Sequence, residues 1–217
     1  MLSIFKTRPS IKYILIVSGG FRMSDTKEKI LNTALELFSH DGYEAVSVSD
    51  IAGKLNMTKG ALYKHYINKR DIFDCIVARM EQVFSEFFSP AADESAGEAL
   101  PESISPVLKA VLDYCSSCFL FWTGNQFASS FRKMLALEQY RSEEMGRLYR
   151  SYLVSAPVEK LTEMLRSFRI GGAAEKAVSL YSTIYFFFSV YDGAEDKMCT
   201  SAILKESIER LCFNIIR

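Results

Sequence analysis

The sequence predicts an all-α protein: a small N-terminal three-helix head joined to a larger helical body. Three observations predict it. Apolar residues recur at the three-and-four spacing of a helix face from Asp25 almost to the end of the chain. No stretch shows the period-two alternation of a strand. The chain has only five prolines and eleven glycines in 217 residues, which favours long regular elements. At that length there is room for a sizeable core, and 49% apolar with 24% charged residues fits a globular protein.

The first 22 residues are expected to lie outside the fold, as an upstream extension. "MLSIFKTRPSIKYILIVSGGFR" holds only a short apolar run, Tyr13 to Val17. A signal peptide needs a longer one and a small-residue cleavage site; a membrane span needs about 20 apolar residues. Met23 opens "MSDTKEKIL", which reads as a natural start.

From Asp25, Ile30, Leu31, Ala34, Leu35, Leu37 and Phe38 form the inner face of a first helix, and Gly42 stops it. Ser47 followed by Asp50 is a capping-box variant that opens a second helix, with Val48, Ile51, Ala52 and Leu55 inward. Asn56 can take the left-handed conformation that ends it. Thr58 can cap a third helix, and Asn68 with Asp71 a fourth. Two short helices joined by a tight turn behind a longer one are helix-turn-helix geometry.

The third helix explains an uneven charge distribution. Net charge is zero, yet between Ile51 and Arg70 there are five Lys or Arg and no Asp or Glu. Leu62 and Tyr66 face inward; Lys59, Tyr63 and Lys64 face elsewhere. A basic, aromatic helix face is what a DNA groove requires; a merely solvated face is the ordinary alternative. Gly60 costs about 1 kcal/mol of helix propensity and lets the backbone approach DNA closely.

The stretch "VSVSDIAGKLNMTKGALYKHYINKRDIF" resembles the DNA-binding signature of the TetR/AcrR family of bacterial transcriptional regulators. The likeness runs from Lys27 to Val77. Leu55, Asn56, Tyr66 and Arg70 depart from the usual pattern, where Ala, Gly and Phe stand at the first three positions. The resemblance implies that Thr58, Lys59 and Tyr63 contact phosphates, that Gly60, Lys64 and His65 lie at or near the base-facing surface, and that Ser49 and Lys69 touch the DNA backbone. His65 has a plainer alternative, a polar residue closing a short helix.

Beyond Arg70 the fourth helix continues with Phe73, Ile76, Val77, Met80, Val83, Phe84, Phe87 and Phe88 inward until Pro90. "PAADESAGEALPES" reads as a loop. Helices then follow from Ser105 to Trp122, Asn125 to Leu137, Ser142 to Phe168 (kinked or split at Pro157), Ala174 to Tyr191, and Ser201 to Ile216. The expected domains are 23–70 for the head and 71–217 for the body.

The resemblance makes the body a ligand-binding and dimerisation domain, although no motif carries over. "YCSSCFLFW" and "LYSTIYFFFSVY" are rich in aromatics, which offers Tyr114, Phe119, Trp122, Tyr181 and Tyr185 as pocket candidates for a small hydrophobic or aromatic effector. Ordinary core is the alternative for each. Tyr181, Phe188, Leu204, Ile208, Leu211 and Ile215 are the candidates for a homodimer interface made by the last two helices.

The five cysteines read as reduced thiols, so a cytoplasmic location is expected. Cys115 and Cys118 form a C-x-x-C pair: two small apolar residues on one face, or a redox couple. No metal or cofactor is expected. The only histidines are His40 and His65, and no nucleophile elbow, metal-ligand pair or phosphate loop is visible, which argues against an enzyme. The leading expectation is a repressor that binds a palindromic double-stranded operator as a dimer and is released by an effector. The alternative is an activator, or a regulator controlled by a protein partner.

Overall fold

The computed structural model describes residues 25–87 and 106–216, with side chains to 214. The expectations for residues 1–22, for the loop 90–103 and for the side chain of Ile215 fall outside the described residues. Every regular element among the described residues is helical. The chain divides into two compact units, Met1–Ala92 and Asp93–Arg217.

The first unit contains α1 (Asp25–Asp41), α2 (Val48–Lys54), α3 (Lys59–Tyr63) and α4 (Lys69–Phe87). Its core joins Ile30, Leu31, Ala34, Leu35 and Phe38 of α1 to Ile51, Leu62, Tyr66, Ile72, Phe73, Ile76 and Met80, all nearly or fully removed from water. At about 25 cal/mol per Å² of apolar surface, this shared burial decides the stability of α2 and α3, two helices too short to stand alone.

Local chemistry sets the helix ends. Gly42 has φ of 88°, left-handed, and its N–H bonds Phe38 O at 3.1 Å, closing α1. The Ser47 hydroxyl accepts from Asp50 N at 3.3 Å while the Asp50 carboxylate accepts from Ser47 N at 2.7 Å, a complete capping box. Hydrogen bonding of the carboxyl to the Ser47 side chain, then to its backbone N–H, holds Asp50 below the usual carboxylate range. Asn56 takes φ of 54° in the turn. Thr58 Oγ1 accepts from Ala61 N at 3.2 Å. Asn68 Oδ1 accepts from Asp71 N at 2.8 Å, and the Asp71 carboxylate accepts from Ile67 N at 2.9 Å.

The second unit contains α5 (Pro106–Gly124), α6 (Gln126–Glu138), α7 (Glu143–Arg150), a π-helical turn (Ser151–Ser155), α8 (Ala156–Ser167), α9 (Ala173–Gly193) and α10 (Lys197–Ile216). Helix α9 packs on α5, α8 and α10. The stretch expected as one interrupted helix is divided at the π-helical turn, next to Pro157. Proline has no N–H for the carbonyl four residues back, and its ring crowds that carbonyl. That carbonyl, Leu153 O, accepts a hydrogen bond from the buried Tyr181 hydroxyl at 2.7 Å.

Helix α10 begins at Lys197 rather than Ser201, because Asp196 caps it: its Oδ1 accepts from Cys199 N at 2.9 Å. Arg132 is the unexpected core residue. It is 6% exposed, donates to Trp122 O at 3.2 Å and to Asp192 at 2.8 Å, and lies over the Phe188 ring at 5.0 Å. It thus ties α6 to the ends of α5 and α9.

Candidate nucleic-acid interface

Helix α3 is one short turn and a half, and burial divides it cleanly. Leu62 is fully buried, and Tyr66, just beyond the helix, is 1% exposed. Thr58, Lys59, Gly60 and Lys64 are exposed, Tyr63 is 50% exposed, and His65 is half-buried. The exposed set lies on one side because residues three and four apart share a helix face. Met57 N bonds Ala52 O at 2.9 Å, which holds the turn between α2 and α3 tight. Lys59 lies close enough to Asp50 to help lower its carboxyl pKa, after the Ser47 bonds.

Gly60 is not required by the fold. It has no positive φ, and a Cβ built there would meet nothing nearer than Thr58 Oγ1 at 3.9 Å. Alanine would fit and would favour the helix. What glycine adds is a bare backbone facing outward, beside two lysines and a tyrosine.

Ser49 is half-buried in the first turn of α2. Lys69, in the first turn of α4, has partners within the unit. Its Nζ donates to Tyr43 O at 2.8 Å and Glu44 O at 3.3 Å, and sits 4.3 Å from the Tyr43 ring centroid. It therefore holds the loop between α1 and α2. Tyr43 in turn stands edge-on to Phe38 at 5.1 Å and against Phe73 at 5.3 Å. Tyr43 carried no local signal in the sequence, since its partner lies 26 residues on. The hydroxyl of Tyr66 donates to Lys27 O at 2.9 Å, so the tyrosine that departs from the usual Phe anchors the first turn of α1.

In the second unit, Tyr114, Tyr181 and Tyr185 come together with Tyr149 and Cys118. Tyr114 is half-buried, Tyr181 buried and Tyr185 exposed. Tyr149 bonds Tyr185 through the two hydroxyls, and Tyr114 OH reaches Pro157 O at a long 3.4 Å. Burial first, then neighbouring thiols and phenols, pushes the Tyr181 hydroxyl well up. Tyr149 was missed in the sequence because its partner lies 36 residues away on another helix. Phe119 is stacked on Phe188 at 6.0 Å and edge-on to Tyr191 at 5.4 Å, and Phe188 in turn stands 6.2 Å from the Tyr185 ring. Trp122 is fully buried against Phe121.

Of the residues considered for subunit pairing, Tyr181, Phe188, Leu204 and Ile208 are at most 3% exposed within the single chain, and Leu211 is half-buried. Large apolar side chains left outside on the described parts of these helices are Val178, Tyr185, Phe186 and Val190 on α9 and Met198, Ile203 and Phe213 on α10.

Residues 30–76 match the family described as bacterial regulatory proteins, tetR family. The chain is 33% identical over 89 residues to the Transposon Tn10 TetC protein of Escherichia coli, covering 41% of this chain and 44% of that one. It is 35% identical over 69 residues to IcaR of Staphylococcus epidermidis, the HTH-type negative transcriptional regulator of the biofilm operon icaADBC, covering 32% and 37%. The chain thus spans less than half the length of these curated relatives. Among solved structures, it is similar to a transcriptional regulator from Saccharomonospora viridis in complex with choline, with a TM-score of 0.62, 18% identity, and 87% and 95% of the two chains covered. It is also similar to the ketosteroid transcriptional regulator KstR2 of Mycobacterium tuberculosis, with a TM-score of 0.63, 14% identity, and 89% and 96% covered. At such identities these likenesses carry the fold.

Proposed function

We propose that this chain, whose residues 30–76 match the tetR family of bacterial regulatory proteins, is a regulator of that family that represses transcription by binding a palindromic operator as a homodimer. The observation that carries this reading is the outward face of α3: Thr58, Lys59, Gly60, Tyr63 and Lys64 exposed over a buried Leu62. In this reading the face enters the major groove. Thr58, Lys59 and Tyr63 hold phosphates, and Lys64 and His65 stand nearer the bases, with Gly60 letting the backbone close in. Phosphate contacts position the head; contacts to base edges specify the sequence.

The head expected at 23–70 extends through α4, which packs in the first compact unit, and the body is the second unit. The body pairs two chains, which doubles the short sequence that one α3 can read. A small hydrophobic or aromatic effector then binds among the tyrosines of the body and favours a conformer whose heads no longer fit the operator. The neutral surroundings of Tyr114, Tyr149, Tyr181 and Tyr185 support an uncharged ligand. No helix among the described residues is long and apolar enough to cross a membrane, and the operator places the work in the cytoplasm.

A mobility-shift titration at several salt concentrations, using DNA flanking the coding sequence, tests the proposal. Wild-type protein should retard a specific fragment. Lys59→Ala and Tyr63→Phe should weaken binding to specific and non-specific DNA alike, and Lys59→Ala should reduce the salt slope by about 1 per half-site. An unchanged affinity and slope would remove Lys59 from the interface.

A further inference from the structure

Helix α3 is five residues long, too short to hold its own position. Its near end is fixed by local chemistry: Thr58 caps it, and Met57 N bonds Ala52 O. Its far end is fixed by Tyr66. The Tyr66 N–H donates to Leu62 O at 3.2 Å, which continues the turn beyond the helix. The side chain is 1% exposed, and its hydroxyl donates to Lys27 O, in the first turn of α1, at 2.9 Å. The Lys27 ammonium lies 5.0 Å from the centroid of the same ring. The end of α3 is thus tied to a residue 39 positions earlier in the chain.

Given the reading above, in which α3 enters the major groove and on which this rests, we propose that the Tyr66 hydroxyl is a positioning group for operator recognition. It fixes the far end of α3 against α1, and with it Lys64 and His65, the residues placed nearer the bases. Phenylalanine, the usual residue at this position in the family, would fill the same space without the bond. The hydroxyl is therefore an addition to the fold rather than a condition of it. Lys27 O lies inside α1, where the helix gives it one N–H donor; the Tyr66 hydroxyl meets its second lone pair. Burial first, and then the neighbouring Cys75, Asp71 and Glu28, push the Tyr66 pKa up, so the hydroxyl keeps its proton and remains a donor.

The bond acts on orientation. A side chain that reads base edges must be held to about 0.5 Å. Without the hydroxyl, the end of α3 spreads over several positions against α1, and only the fraction in the reading position binds at full strength. Losing one such bond should lower that fraction about three- to tenfold. Lys64 caps the far end of α3 and His65 follows it, so both feel the spread. Thr58 and Lys59 stand at the other, capped end, so their phosphate contacts and the salt dependence they confer should persist.

The test is a mobility-shift titration of the full chain, as wild type and as Tyr66→Phe, on the DNA flanking the coding sequence and on a scrambled fragment of equal length. It is run at several salt concentrations and at a temperature where both proteins are folded. Tyr66→Phe should bind the operator about three- to tenfold more weakly, bind the scrambled fragment as wild type does, and keep the wild-type salt slope. Operator affinity equal to that of wild type would overturn the proposal while leaving the reading of α3 in place. So would a parallel loss on both fragments, the mark of a merely structural role. A wild type that binds both fragments alike would overturn the reading of α3 itself, and the role of Tyr66 with it.

Discussion

Lys59 and Lys69 have the same charge and sit ten residues apart, but their surroundings give them different work. Lys59 is exposed on α3. Lys69 gives its protons to Tyr43 O and Glu44 O and covers the Tyr43 ring. Hydrogen bonds to a charged donor contribute about 1.5–3 kcal/mol, toward the lower end here because Lys69 is only half-buried. Lys69→Ala should therefore lower the thermal midpoint of the protein, whereas Lys59→Ala should leave it nearly unchanged. Calorimetry on the two variants checks this. Equal midpoints would mean that the Lys69 clamp contributes nothing, and that its charge is free for DNA.

At the scale of elements, Gly146 shows how one missing methyl sets a helix position. A Cβ there would stand 2.8 Å from the Gln139 carbonyl oxygen, which belongs to backbone and cannot swing away. Gly146→Ala should destabilise the protein by about 1–3 kcal/mol, the cost of overpacking, despite alanine's better helix propensity. Chemical denaturation measures it, and a stabilised variant would mean that α7 moves freely off that turn. Tyr181→Phe removes the hydroxyl from Leu153 O beside Pro157 and should cost about 1–3 kcal/mol for the carbonyl left behind. An unchanged denaturation midpoint would show the carbonyl satisfied by other means.

These elements also mark what a sequence can reveal. Caps are local, so Ser47 with Asp50, Thr58, and Asn68 with Asp71 were legible from residues three apart. Pro157 announced an interruption, since its missing N–H is written in the chain. The π-helical form of the interruption was not legible, because the hydroxyl that meets Leu153 O comes from Tyr181 on another helix. The start of α10 was read late because Asp196 was overlooked as a cap. Arg132 gave no sign of burial; its partners, Trp122 O, Asp192 and Phe188, converge only in the fold. The outward face of α3 was readable because inward Leu62 and Tyr66 fix its orientation. Lys69's clamp was not, because the carbonyls it meets lie more than twenty residues back.

For the whole molecule, pairing of two chains is a matter of what a single chain leaves uncovered. Ile208 is 2% exposed, so a charge there would disrupt the core before it tested any interface. Phe186 is 63% exposed on α9, where Val178 and Val190 are exposed as well. Phe186→Glu should leave the melting temperature of the isolated chain nearly unchanged and shift sedimentation from dimer toward monomer. A variant that remains dimeric would move the pairing face elsewhere.

The central claim, that α3 brings its backbone against DNA, is tested most directly at Gly60. The fold has room for a Cβ there, so Gly60→Ala should stabilise the protein by up to about 1 kcal/mol through helix propensity. If DNA lies against that backbone, the same methyl should obstruct it. Measured on one preparation, the variant should melt no lower than wild type and bind the operator at least tenfold more weakly. A variant that is equally stable or more so and binds the operator with wild-type affinity would contradict the account.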